Sequence, residues 1–115
     1  MIDFACKKFD LREVIRCSFN LTKTEFRVME YMVENLNREF TTREISEIFK
    51  IGLSTSQKVI NKINKEGLVK RSQKNLEKGG YIFIYSIKQK QILKQKILEI
   101  IRDWTEKVEL EIKKL

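Results

Sequence analysis

At 115 residues the chain has room for one modest hydrophobic core and not for two, so a single domain over residues 1–115 is expected. With 42% hydrophobic and 35% charged residues, no Pro and four Gly, the composition fits a helix-rich globular domain rather than a disordered chain. No His and two Cys exclude a four-ligand Cys/His zinc site and a His-based hydrolytic triad, while a formal net charge of +8 points to a polyanionic partner.

The first segment, Ile2 to Cys17, sets Phe4, Phe9, Leu11, Val14 and Ile15 among charges in a pattern closer to helical than alternating, with Phe9 and Asp10 as the one place it could break. An N-terminal helix within residues 1–20 is therefore predicted. Cys6 and Cys17 would lie about 16 Å apart on one unbroken helix, too far for an intrachain disulfide, and are read as buried, reduced thiols. Thr22 and Glu25 then form a capping box, in which the hydroxyl accepts from an early backbone N–H and the carboxylate reaches back to the cap. Phe26, Val28, Met29, Met32, Val33 and Leu36 recur at helical spacing behind it, so a helix runs to about Leu36 before the loop of Asn37, Arg38 and Glu39.

A second capping box, Thr41 and Glu44, opens a short helix with Ile45, Ile48 and Phe49 inward and a tight turn at its end in which Gly52 takes positive φ. A third, Ser54 and Gln57, opens a helix that stops at Gly67. Two short helices joined by a turn make a helix-turn-helix unit. On the second of them Ser56, Val59, Ile60 and Ile63 fall on one face, which is core, and Ser54, Lys58, Asn61 and Lys65 fall opposite, with Thr55, Gln57 and Lys62 on the flanks.

After Gly67, two strand-compatible runs (Leu68 to Gln73 and Tyr81 to Ile87) surround a Gly79-Gly80 connection and read as a β-hairpin. Residues 52–87 hold seven Lys/Arg against two Glu, residues 1–51 hold nine of each sign and residues 88–115 hold eight against five, so most of the basic excess lies on this helix and hairpin. From about Lys88, Leu93, Ile97, Ile101, Trp104, Val108, Ile112 and Leu115 recur in steps of three and four, an apolar stripe along one long helix. No run approaches the roughly 18 apolar residues of a membrane span, so no membrane association and a cytoplasmic location are expected.

The order helix, helix, hairpin is that of a winged helix-turn-helix, and the fold expected is mainly α with a small β-hairpin: a core over residues 21–87, flanked by N- and C-terminal dimerisation helices, the latter over 88–115. Leu21-Thr22-Lys23-Thr24-Glu25, Glu44-Ile45, Leu53-Ser54-Thr55-Ser56 and Lys65-Glu66-Gly67-Leu68-Val69-Lys70-Arg71 resemble the MarR-like and TrmB-like winged-helix regulators, the latter common in archaea. The resemblance implies a dimeric repressor or activator that binds double-stranded DNA. The chain is shorter than typical MarR proteins and carries no separate effector domain of the TrmB kind, so no small-molecule effector is assigned.

Within that frame Ser54, Thr55, Gln57, Lys58, Asn61 and Lys62 are expected to face the major groove. Gln and Asn suit adenine edges, Lys suits guanine or phosphate, and Ser or Thr suit either. Lys65, Arg71, Lys74 and Lys78, with Arg43 from the preceding helix, are expected on the DNA backbone or minor groove. Phe4, Phe9, Leu93, Ile97, Ile101, Trp104, Val108 and Ile112 are expected at the homodimer interface, because such a stripe is longer than one small core can cover. No cofactor, metal or enzymatic activity is expected. The alternative to an operator-binding regulator is a winged-helix module whose basic face binds protein or RNA.

Overall fold

Nine elements follow one another along Met1–Leu115, all of which the computed structural model describes. Two short strands, β1 (Ile2–Phe4) and β2 (Lys7–Phe9), precede the helices α1 (Leu11–Ser18), α2 (Lys23–Glu34), α3 (Thr42–Phe49) and α4 (Leu53–Lys65). The strands β3 (Lys70–Asn75) and β4 (Tyr81–Ser86) and the long helix α5 (Lys90–Lys113) complete the chain. It divides into two compact units, Thr22–Lys90 and the pair of terminal segments Met1–Leu21 and Gln91–Leu115.

The Thr22–Lys90 unit is a winged helix-turn-helix. Both of its first two capping boxes form: Thr22 Oγ1 accepts from the Glu25 N–H at 3.2 Å while Glu25 accepts from the Thr22 N–H at 2.8 Å, and Thr41 and Glu44 repeat the arrangement. Phe26, Val28, Met29 and Met32 of α2, Ile45 of α3, and Val59, Ile60 and Ile63 of α4 make the core, so the apolar face expected of α4 is the one that is buried. Ser56 joins them at zero exposure, its hydroxyl donating to the Thr42 carbonyl and tying α4 to the start of α3. Strands β3 and β4 pair antiparallel from Lys70 opposite Ser86 to Asn75 opposite Tyr81. Gly79 and Gly80, at φ of +90° and +80°, turn the tip in a conformation that a side chain would resist.

Several local expectations are corrected here. The α4 helix begins two residues earlier than its capping box implies. Its N-cap is Gly52, in extended conformation at φ −62°, and Ser54 and Gln57 lie within the helix, neither capping it, with their side chains free for other partners. The left-handed residue of the α3–α4 turn is Lys50 at φ +53°, not Gly52; the Ser46 hydroxyl donating to the Ile51 carbonyl at 2.6 Å holds the turn closed. Ile48 is exposed rather than inward, because an eight-residue helix turns only one narrow face to the core and Ile45 occupies it. The segment before α3 is more than a loop: Phe40, fully buried, exchanges backbone hydrogen bonds with Tyr85 at 2.9 and 2.8 Å and so lies beside β4 as a one-residue strand.

In the unit of terminal segments the predicted helix over residues 2–17 is replaced by a β-hairpin and the shorter α1. Ile2 pairs with Phe9 and Phe4 with Lys7 around a two-residue turn of Ala5 and Cys6, with Ala5 at φ +47°. Neither Gly nor Asn marks that turn, which is why residue spacing concealed it. Asp10 caps α1 by accepting from the Arg12 N–H at 3.0 Å. The Glu13 carboxylate accepts from the Arg16 guanidinium at 2.9 Å, and that hydrogen bond raises the Arg16 pKa. Cys6 and Cys17 are both free and both exposed, correcting the expectation of buried thiols: one sits at a hairpin tip and the other on a helix that buries no residue. The α5 helix, about 36 Å long, likewise buries none. No helix is long and apolar enough to cross a membrane.

Candidate nucleic-acid interface

The solvent face of α4 carries two rows. Ser54, Lys58 and Lys65 project straight out, with Thr55 beside them, all exposed. Leu53, Gln57 and Asn61 form a second row four residues apart, turned toward the β3–β4 wing. Lys62, the sixth residue expected on this face, is half-buried and pairs with Glu66 at 2.9 Å, so its charge is partly answered within the helix. Three of the basic residues expected nearby, Lys65, Lys74 and Lys78, are exposed on α4, β3 and the wing tip.

Between α4 and the wing lies an open groove, and it brings together residues far apart in sequence. Arg43 from the first turn of α3, Gln57 and Asn61 from α4, and Arg71 and Phe83 from the wing all line it, and no Asp or Glu does. Neither Arg43 nor Arg71 has a carboxylate partner. Arg71 is instead held against an aromatic ring, its guanidinium carbon 4.6 Å from the centre of Phe83. Register explains the contact. Arg71 stands opposite Tyr85 and Phe83 opposite Gln73, so Arg71 and Phe83 are diagonal neighbours on one face of the hairpin, within reach for a long side chain. Tyr81, next on that face, meets Phe83 edge-on at 5.4 Å and limits its movement.

A second exposed surface lies in the other unit. On α5, Ile101, Trp104 and Ile112 are exposed, Trp104 at 63%, while Leu93, Ile97 and Val108 are half-buried. On the N-terminal hairpin Phe4 is 68% exposed and its ring lies 6.4 Å from that of Phe9.

Residues 10–108 match the DnaD N-terminal domain family. The chain belongs to that family. An uncharacterized protein of Methanocaldococcus jannaschii, MJ1082, is 33% identical over 102 residues, spanning 89% of this chain and 82% of that protein. Among solved structures, a possible transcriptional regulator from Methanosarcina mazei Go1 is 37% identical, superposes with a TM-score of 0.91, and is covered to 95% while covering 99% of this chain. A point mutant of MepR from Staphylococcus aureus, solved bound to an oligodeoxyribonucleotide, shares the fold at a TM-score of 0.57 and 10% identity, over 85% of this chain and 70% of its own. The expected winged-helix regulator fold is thus the one found, and within it this chain is a DnaD N-terminal domain.

For this DnaD N-terminal domain, both charged residues that line the groove, Arg43 and Arg71, were among those expected from the sequence, whereas Phe83, Leu53 and the groove that joins them were not. The signal for Phe83 was present in part: alternation through Tyr81-Ile82-Phe83-Ile84-Tyr85 puts three aromatic rings on one face of a strand. What faces them depends on hairpin register, which spacing alone left open.

Proposed function

We propose that the chain is a sequence-specific, double-stranded DNA-binding transcriptional regulator acting as a homodimer. In this reading α4 enters the major groove through Ser54, Thr55 and Lys58, with Gln57, Asn61 and Lys62 at its flanks. The wing reaches the backbone or minor groove through Arg71, Lys74 and Lys78, and Arg43 and Lys65 meet phosphate. The observation that carries it is the continuous surface from α4 to the wing tip, where unpaired Arg and Lys side chains surround exposed Ser, Thr, Gln and Asn and no carboxylate lines the groove at its centre. Such a surface combines sequence-independent attraction to phosphate with groups able to read base edges. The similarity to a possible transcriptional regulator at 37% identity supports the same reading.

The homodimer rests on α5 and the N-terminal hairpin. A two-stranded hairpin is marginal on its own, and here its apolar face, Ile2, Phe4 and Phe9, stands in solvent. Exposed apolar surface costs about 25 cal/mol per Å², so the stripe along α5 gains most from pairing across a twofold axis. Mobility shift of random-sequence duplex over a salt series tests the DNA reading: binding that weakens linearly in log salt is expected, and no duplex binding at low salt would sink it. A protein or RNA ligand captured in place of duplex would identify the chain as an interaction module.

A further inference from the structure

The backbone of each DNA strand is the ridge that separates the major groove from the minor groove. A protein that sets one element in the major groove and another over the neighbouring backbone must straddle that ridge, and whatever lies between the two elements meets it. Here the groove between α4 and the wing is the only place for it, and its lining has the chemistry of a nucleotide backbone. Two guanidiniums without carboxylate partners, Arg43 and Arg71, stand at its sides, two amides, Gln57 and Asn61, offer N–H donors, and Leu53 and Phe83 give apolar surface for a sugar.

We propose that this groove seats one phosphodiester and its deoxyribose, that Arg43 and Arg71 are its cationic jaws, and that Phe83 is the positioning residue that aims Arg71. The inference deepens the DNA-binding reading and rests on it. Gln57 then serves the strand rather than a base, and base reading falls to the outer row of Ser54, Thr55 and Lys58. Phe83 acts by limiting where the guanidinium can go. A free arginine side chain on a strand samples many rotamers, whereas this one lies stacked at 4.6 Å on a ring that Tyr81 in turn abuts, so less freedom is lost when phosphate arrives. Stacking leaves the outer N–H groups of the guanidinium unused and available.

The test is fluorescence anisotropy on a labelled random-sequence duplex over a salt series, where base reading contributes nothing. Arg71→Ala should weaken binding about tenfold and lower the slope of log K against log salt by about one unit. Gln57→Ala should weaken binding to random duplex as much as to a selected site. Phe83→Leu, which keeps apolar bulk without a π face, should lose about threefold, and Phe83→Tyr should recover it. Combined with Arg71→Ala, Phe83→Leu should add nothing, since Leu keeps the apolar surface for the sugar and the lost π face acts only through that guanidinium. An unchanged slope for Arg71→Ala overturns the phosphate seat. Equal binding by the Leu and Tyr variants, or losses that add in the double variant, overturn the positioning role of Phe83. A wild-type chain that binds no duplex at low salt overturns the DNA reading and the groove inference together.

Discussion

Ser56 is a hydroxyl at zero exposure in the middle of an apolar helix face, and it is tolerated there because the Thr42 carbonyl accepts its proton. Ser56→Ala removes this hydrogen bond between α4 and α3 from a fully buried position, while the Thr42 carbonyl keeps its place in the α3 helix, and should lower stability by about 1 kcal/mol in urea unfolding. Lys50 illustrates the opposite case, a residue whose backbone is the wrong one for its type. A non-glycine residue at φ +53° carries a steric penalty on the order of 1 kcal/mol, so Lys50→Gly should raise the unfolding midpoint by an amount worth about 0.5 kcal/mol once the flexibility of Gly in the unfolded chain is deducted. On the proposed DNA-binding face Lys58 is exposed on the outer row of α4 and has no carboxylate partner. Lys58→Ala should cost about 1–3 kcal/mol on a selected operator and distinctly less on random duplex; equal losses on both would reassign Lys58 to phosphate.

Among the elements, the wing and α4 were the most legible from residue order. The stop at Gly67, the turn at Gly79 and Gly80, and the buried face of α4 all follow from local rules that tertiary contacts reinforce. Capping was less transferable. Two boxes formed as read, but the third yielded to Gly52, because the turn closed through Lys50 and Ser46 sets where the α4 backbone becomes helical. Lys74 and Lys78 sit on a strand and at the hairpin tip, away from the groove residues, and both are exposed. Replacing both by Ala should weaken binding to every sequence alike and reduce the salt slope by about two units, read from the same anisotropy series. An unchanged slope would place the wing tip outside the interface.

At the scale of the whole molecule the unresolved demand is the apolar surface of α5. Leu93, Trp104 and Leu115 stand eleven residues apart, as do Ile97 and Val108, a repeat of about 3.67 residues per turn that keeps one face aligned between helices with a slight right-handed rather than a left-handed supercoil. Two such helices can therefore lie side by side along much of their length. Ile101→Asp with Val108→Asp should give a monomer by light scattering that retains weak binding to half-sites, while an unmodified chain that is monomeric at micromolar concentration removes the dimer and its pseudo-palindromic operator.

Residue order by itself determined the helix-turn-helix, the buried face of α4 and the concentration of positive charge on α4 and the wing, because caps, glycine stops and apolar periodicity act over a few residues. It did not determine the N-terminal hairpin, where Ala5 takes a turn conformation that its side chain disfavours and nothing nearby announces it. Nor did it determine the pairing of Phe40 with Tyr85, which joins the segment before α3 to β4 through backbone hydrogen bonds that carry no mark of side-chain identity. The groove is the clearest case. Arg43, Gln57, Arg71 and Phe83 come from four elements, and only the packing of α3 against α4 and the register of β3 on β4 decide that they face one another. Spacing governs which way a side chain points from its own backbone; what stands opposite is set by how the backbones pack.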